Sequence, residues 1–166
     1  MNKITSYHLN LIAIIYIRQS TQAQVNHNLE SKRRQYKLKE EAEKLGFKKV
    51  EVIDDDLGKS GSGACSREGF DRLLSKICQG KIGAIFALEA SRLARNGREW
   101  HTLLEMCAIM NTLIIDPEGI YNPRLTNDRL LLGMKGTISE MELSILRERA
   151  HLAIREKAKR GEYYNT

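Results

Sequence analysis

The sequence predicts an α/β fold with a mostly parallel central sheet, flanking helices and a long C-terminal helix. Three observations carry that reading. β-Branched runs recur along the chain, charged segments of helical spacing separate them, and after Asn127 a helical pattern runs on with no strand behind it.

Residues 11–17 (LIAIIYI) form a continuous apolar run, which predicts a strand buried on both faces. Residues 29–45 are charged with helical spacing and stop at Gly46, a favoured helix terminator. The alternating FKKVEVIDDD predicts a second strand, and DLGKSGSGACSREG after it, with four glycines and three serines, predicts a loop. A short helix is expected over 70–78, a third strand over IGAIFALEA, a helix over 99–110 and a fourth strand over TLIIDPEGIY, closed by turn residues. Beyond 127, Leu130, Met134, Ile138, Met141 and Ile145 recur every three or four residues, and helical composition lasts to Lys159 against only Gly133 and Gly136. That helix would be on the order of 50 Å long. A domain this small cannot cover it, so its apolar stripe calls for a partner. The competing reading breaks the helix at Gly136 and packs its second half back on the sheet.

With 166 residues of ordinary globular composition, one domain is expected, and the net charge of +6 favours a polyanionic partner such as nucleic acid. Cys65, Cys78 and Cys107 are odd in number and widely spaced, which fits neither a disulfide framework nor paired zinc ligands and points to a reducing cytoplasm. The start resembles a leader only superficially, because its apolar stretch is short and lacks an A-x-A cleavage pattern, and no run reaches the length of a membrane span.

The run over 11–17 passes straight into YIRQST. In a strand alternate side chains share a face, so Tyr16, Arg18 and Ser20 are expected to point together at the carboxyl end, where α/β folds place their sites. An isolated R-x-S is usually a surface ion pair and a turn. Its company changes that: the glycine loop runs into SREGF with Arg67, and the third strand runs into EASRLARN, where Arg92 and Arg95 share a face if helical. Guanidiniums gathered at one sheet edge repel one another unless an anion is present, and a phosphodiester fits their planar forks.

Rival sites fail on spacing. GKS at 58–60 resembles the end of a P-loop, but the first glycine of that motif would fall on Ile53. There is no G-x-S-x-G elbow, none of His8, His27, His101 and His151 follows a strand end as a triad base would, and VIDDDLG lacks calcium-loop spacing. That acidic cluster is read first as a solvated strand end, with one carboxylate reaching the site as the alternative.

Y-x-R-x-S at the end of the first strand, an arginine after a glycine and serine loop, and S-R-L-x-R after a later strand together resemble the catalytic domain of the serine recombinases, the resolvase and invertase superfamily. The resemblance continues through YNPRLTNDRLLLGMKGTISEMELSILRER, which is similar to the region joining sheet to long helix in the large serine recombinases. It implies a resolvase-like catalytic domain over 1–126, a long helix over 127–160 for oligomerisation and DNA contact, and a tail over 161–166. No helix-turn-helix or zinc-ribbon pattern fits the last residues, so the chain is expected to be a catalytic domain without further DNA-binding domains.

Residue by residue, the resemblance makes Ser20 the nucleophile that attacks a DNA phosphodiester, with Arg18, Arg67, Arg92 and Arg95 around that phosphate. Glu148 and Arg149 become the pair contributed by the long helix, and Gln24 a further DNA contact. Arg155, Lys157, Lys159 and Arg160 belong to a basic end, six Lys and Arg against two Glu over 147–160, suited to nonspecific phosphate attraction. Arg124 and Arg129 are read first as a surface pair or helix start, with a place near DNA as the alternative. One departure matters: many relatives carry an aspartate where this chain has Ser91, so an acid or base role does not transfer, and Glu89, two residues earlier on the expected strand face, is the substitute to weigh. The implied chemistry is transesterification through a covalent 5′-phosphoserine, with strand exchange between subunits and rejoining. It implies no metal, nucleotide or other cofactor, double-stranded DNA as partner, a homodimer or homotetramer, no membrane, and a cytoplasmic, nucleoid-associated location. The alternative is a noncatalytic DNA-binding or assembly module of the same fold; the intact Ser20 and arginine set argue against it.

Overall fold

The computed structural model describes residues 2–17, 28–54 and 68–161. A short helix that the sequence analysis did not anticipate, α1 (Ser6–Leu9), precedes β1 (Ile12–Tyr16), α2 (Asn28–Lys44), β2 (Lys49–Ile53), α3 (Glu68–Cys78) and β3 (Ile82–Phe86). A 3₁₀ turn (Ala90–Arg92) then leads to α4 (Gly97–Met110), β4 (Leu113–Asp116), β5 (Gly119–Tyr121) and α5 (Thr126–Lys159). The sheet order among the described residues is β2-β1-β3-β4-β5, parallel except for the antiparallel β4–β5 pair.

The apolar run of β1 is buried on both faces, as its composition predicts. Ile14 and Tyr16 join Phe70, Leu73 and Ile77 of α3 and Leu103, Leu104 and Cys107 of α4 in one core cluster. Ala13, Ile15 and Ile17 face the other way, with Leu38 and Ala42 of α2 and Phe47. Each fully buried isoleucine contributes roughly 1.5–3 kcal/mol, so the central strands anchor both layers.

The first pairing between β1 and β3 is irregular: Ile12 pairs with Ile82 but Ala13 with Ala84, which leaves Gly83 as the extra residue. α1 packs against the sheet here, and a β-carbon on Gly83 would stand 2.2 Å from the His8 carbonyl oxygen. The obstacle is backbone, so it cannot rotate aside. Gly83→Ala is expected to destabilise the domain by roughly 1–3 kcal/mol, as overpacking does. Urea unfolding checks this; a change within about 0.5 kcal/mol, as at an unconstrained surface position, would refute it.

Three sequence expectations need correction. TLIIDPEGIY is not one strand but the β4–β5 hairpin, because Asp116 Oδ1 accepts the amides of Glu118 and Gly119 at 2.9 and 3.1 Å and closes the turn. The third strand stops at Phe86, so Glu89 lies beyond it and not on a strand face. Arg92 and Arg95 do not share a helical face: the 3₁₀ turn ends at Arg92, and α4 starts afresh at Gly97, where the Asn96 side chain accepts the Glu99 amide.

The long helix is continuous through Gly136, so the broken-helix reading fails. Its first turns are the packed part. Leu132 is buried in the core, and the Trp100 indole donates to the Leu132 carbonyl at 2.9 Å. Gly136 lies so close to that ring that a β-carbon would stand 2.4 Å from Trp100 Cδ1 and Nε1. Asp128 ties the helix start to the N-terminal segment, accepting from Lys3 Nζ and the Asn122 amide. Farther on, every described residue from 141 to 161 is exposed, including Met141, Ile145, Leu146, Leu152 and Ile154. No helix among the described residues is long and apolar enough to cross a membrane.

Candidate active site at the carboxyl edge of the sheet

The parallel strands end together at one edge, where α/β folds place their sites. The Ile17 amide donates to the Ile53 carbonyl at 3.1 Å, which keeps β1 tied to β2 up to the residue before Arg18. The Ala87 amide donates to the Ile115 carbonyl at 3.0 Å and does the same for β3 and β4. Arg18, Ser20, Gln24 and Arg67 lie outside the described residues. The described part of the site is the segment after β3 and its supports.

Glu89 flanks the 3₁₀ turn and engages two of its side chains: Ser91 Oγ donates to Oε1 at 2.9 Å, and Arg92 Nε lies 3.0 Å from Oε2. Arg92 is 73% exposed, and an ion pair in such a setting contributes at most about 1 kcal/mol. That pair is therefore a weak one. Arg95 is held more firmly. Its Nε lies 3.1 Å from Glu99 Oε1, its backbone amide donates to Glu99 Oε2 at 3.1 Å, and its buried Nη1 has no hydrogen-bond partner among the described residues.

Beneath this segment sits Asp116, almost wholly buried at the end of β4. Its Oδ2 accepts the Ala90 amide at 3.1 Å and Lys135 Nζ of α5 at 3.3 Å. Lys135 also pairs with Glu118 and stands 5.2 Å from the Tyr121 ring centroid. Burial disfavours the Lys135 ammonium, but the hydrogen bonds to Glu118 and Tyr121 and the charge of Asp116 outweigh it, and its pKa stands above the ordinary lysine value. Neither residue figured in the sequence reading. The available signal was an aspartate ending an apolar run ahead of a Pro-Glu-Gly turn.

The other residues singled out in the sequence lie elsewhere in the fold. Arg129 pairs with Glu105 and donates to the Leu104 carbonyl at 3.3 Å, which makes it the surface pair that was expected. Burial pushes the Cys107 thiol up to about 12, despite the opposing charge of Arg129, so it packs and does not react. Asp54, at the acidic strand end, is exposed. Glu148, Arg149, Arg155, Lys157, Lys159 and Arg160 are exposed on distal α5, and Glu148 lies about 20 Å along the axis beyond Lys135. Among the described residues no group of three or more His, Cys, Asp or Glu side chains is placed to hold a metal ion.

The chain is 49% identical over 162 residues to the protein designated y4bA/y4pH of Sinorhizobium fredii (strain NBRC 101917 / NGR234), covering 96% of this chain but only 23% of that relative's length. Three solved structures share the fold. A resolvase family site-specific recombinase from Streptococcus pneumoniae superposes with a TM-score of 0.57 at 20% identity, covering 90% of this chain and 99% of that one. The N-terminal catalytic domain of TP901-1 integrase gives 0.54 at 20%, covering 81% and 98%. The C-terminal catalytic domain of ISC1926 TnpA, an IS607-like serine recombinase, gives 0.53 at 23%, covering 78% and 99%. The profile of the family described as "Resolvase, N terminal domain" matches residues 13–163. The chain thus belongs to the resolvase family, of which it carries the N-terminal domain.

Proposed function

We propose that this chain is the catalytic domain of a site-specific DNA recombinase that cuts DNA with Ser20. The observation that carries the reading is the anchored, arginine-bearing segment at the carboxyl edge, in a chain whose β1 leads directly into R-x-S. Ser20 Oγ attacks phosphorus and loses its proton; the P–O3′ bond breaks, the 3′ oxygen leaves as a hydroxyl, and the 5′ phosphate stays on the serine. The phosphorane between these states gains negative charge on its oxygens, and guanidiniums fixed around it stabilise that charge more than they stabilise the ground state. The phosphoserine conserves the energy of the broken bond, so a 3′ hydroxyl of an exchanged strand restores the backbone and frees the serine without a nucleotide cofactor. Glu89 accepts from Ser91, which stands at the missing aspartate's position, and keeps Arg92 and Ser91 in place between encounters.

The test is covalent capture. Full-length protein is incubated with a genomic DNA library and quenched with detergent, and protein-linked fragments are recovered and sequenced at their ends. Protease-sensitive adducts at a recurring sequence are expected. Since arginines supply the positive charge in this mechanism, the adducts are expected to persist in EDTA; loss in EDTA with restoration by magnesium would place the chain in another enzyme class.

Exposed Leu130, Met134, Met141 and Ile145 on α5 support self-association of two or four copies. Met141, 59% exposed, is the residue to change. Sedimentation at rising concentration is expected to show association that Met141→Glu weakens, and identical profiles would refute this surface.

A further inference from the structure

Asp116 serves two elements with its two oxygens. Oδ1 holds the β4–β5 turn through the Glu118 and Gly119 amides, and Oδ2 holds the Ala90 amide and the Lys135 ammonium. Ala90 begins the 3₁₀ turn that ends at Arg92, and Lys135 sits on α5 next to Gly136, where the helix is pressed against Trp100. A neutral side chain would suffice to close the turn. Asparagine, with a single acceptor oxygen, serves either the turn amides or the Ala90 amide, but not both. A carboxylate serves both at once, and its buried charge then requires a counter-ion, which α5 supplies.

We infer that Asp116 and Lys135 are positioning residues that hold the Arg92-bearing turn in register with the long helix, so that Arg92 meets the phosphate only while α5 is seated on the sheet. The inference rests on the catalytic reading above; in it neither residue touches DNA, and both act through the Ala90 amide. Displacement of α5 withdraws Lys135, leaves Asp116 buried without a counter-charge, and loosens the anchor of the turn. The coupling runs through one physical chain of contacts, from helix to lysine to carboxylate to amide.

Two measurements on the full-length protein test it. In hydrogen exchange, Lys135→Met is expected to speed exchange at the Ala90 and Arg92 amides by about tenfold or more relative to the Ile14 and Ile15 amides of β1, because local opening becomes easier than global unfolding. A uniform change across all these amides, or none, overturns the inference whether or not the protein cuts DNA. In single-turnover adduct formation, Lys135→Met is expected to lower the rate constant on the order of tenfold, with DNA affinity within about threefold. Simple loss of folded protein would lower the amplitude at an unchanged rate constant, and that outcome overturns it too. If Lys135 acts through Arg92, then Arg92→Ala combined with Lys135→Met is no slower than Arg92→Ala alone, whereas multiplying effects refute the pathway. Should Lys135→Met fail to fold, the paired Asp116→Asn/Lys135→Met variant leaves no uncompensated charge and carries the same two measurements. A wild-type protein that forms no adduct at all sinks the catalytic reading, and the exchange result then decides the pairing alone.

Discussion

Ser20→Ala in the full-length protein is expected to abolish the protease-sensitive DNA adduct, with a fall in cleavage on the order of 10⁴ or more, as when other enzymes lose their nucleophile. The adduct requires a bond from the nucleophile to phosphorus, and alanine has no atom to form it. The arginine set is untouched by the change, so DNA affinity is expected to stay within about threefold of the parent. That contrast makes the result diagnostic. A noncatalytic module would form no adduct with either protein. An adduct that survives the substitution would move the nucleophile elsewhere, and peptide mapping of the linked residue would say where.

Arg95→Lys is expected to lower the cleavage rate by roughly 10²–10³, the usual loss for one preorganised donor, while unfolding stays cooperative. Arg95 is gripped on one side of its fork by Glu99, through both Nε and its own backbone amide, which leaves the rest of the guanidinium fixed in direction. Lysine keeps the charge but is a point donor on a flexible stem, so it satisfies Glu99 or a phosphate oxygen, not both in fixed geometry. Single-turnover rates at saturating DNA separate this from weaker binding. A rate within about threefold of the parent would mean that charge alone suffices and that the fork geometry has no role. By comparison Arg92, exposed and loosely paired, is expected to tolerate lysine better.

Much of the fold was legible because its signal is local. A strand buried on both faces must be apolar throughout, and β1 and β3 are. Gly46, with φ of 105°, and the long run of helix formers before Lys159 mark ends and lengths equally plainly. The misreadings came where one side chain reaches across the fold. Asp116 splits TLIIDPEGIY into a hairpin because its carboxylate captures the turn amides, which no period in the sequence reveals. Its second oxygen reaches Ala90, 26 positions earlier in the chain. Likewise Gly136 looked like a weak point in a helix, whereas it makes room for Trp100, a partner on another element. At the candidate site the arginines were legible as residue types, while their different anchoring, by Glu89 in one case and by Glu99 in the other, belongs to the turn and to the start of α4.

The contact of Trp100 with Leu132 and Gly136 makes the long helix a lever with a short, gripped end and a long free one. From Gly136 to Lys159 it extends about 35 Å beyond the grip. A tilt of roughly ten degrees at the indole would then carry the Lys157–Lys159 end through about 6 Å, on the scale of one helical turn, while Lys135 beside the fulcrum would move by a small fraction of that. The same rotation is thus a large excursion for whatever is bound at the basic tip and a fine adjustment at the carboxylate beneath the Arg92 turn. With alanine at 136 the pivot itself would be displaced, so the tip's resting position would depend on a single missing methyl group.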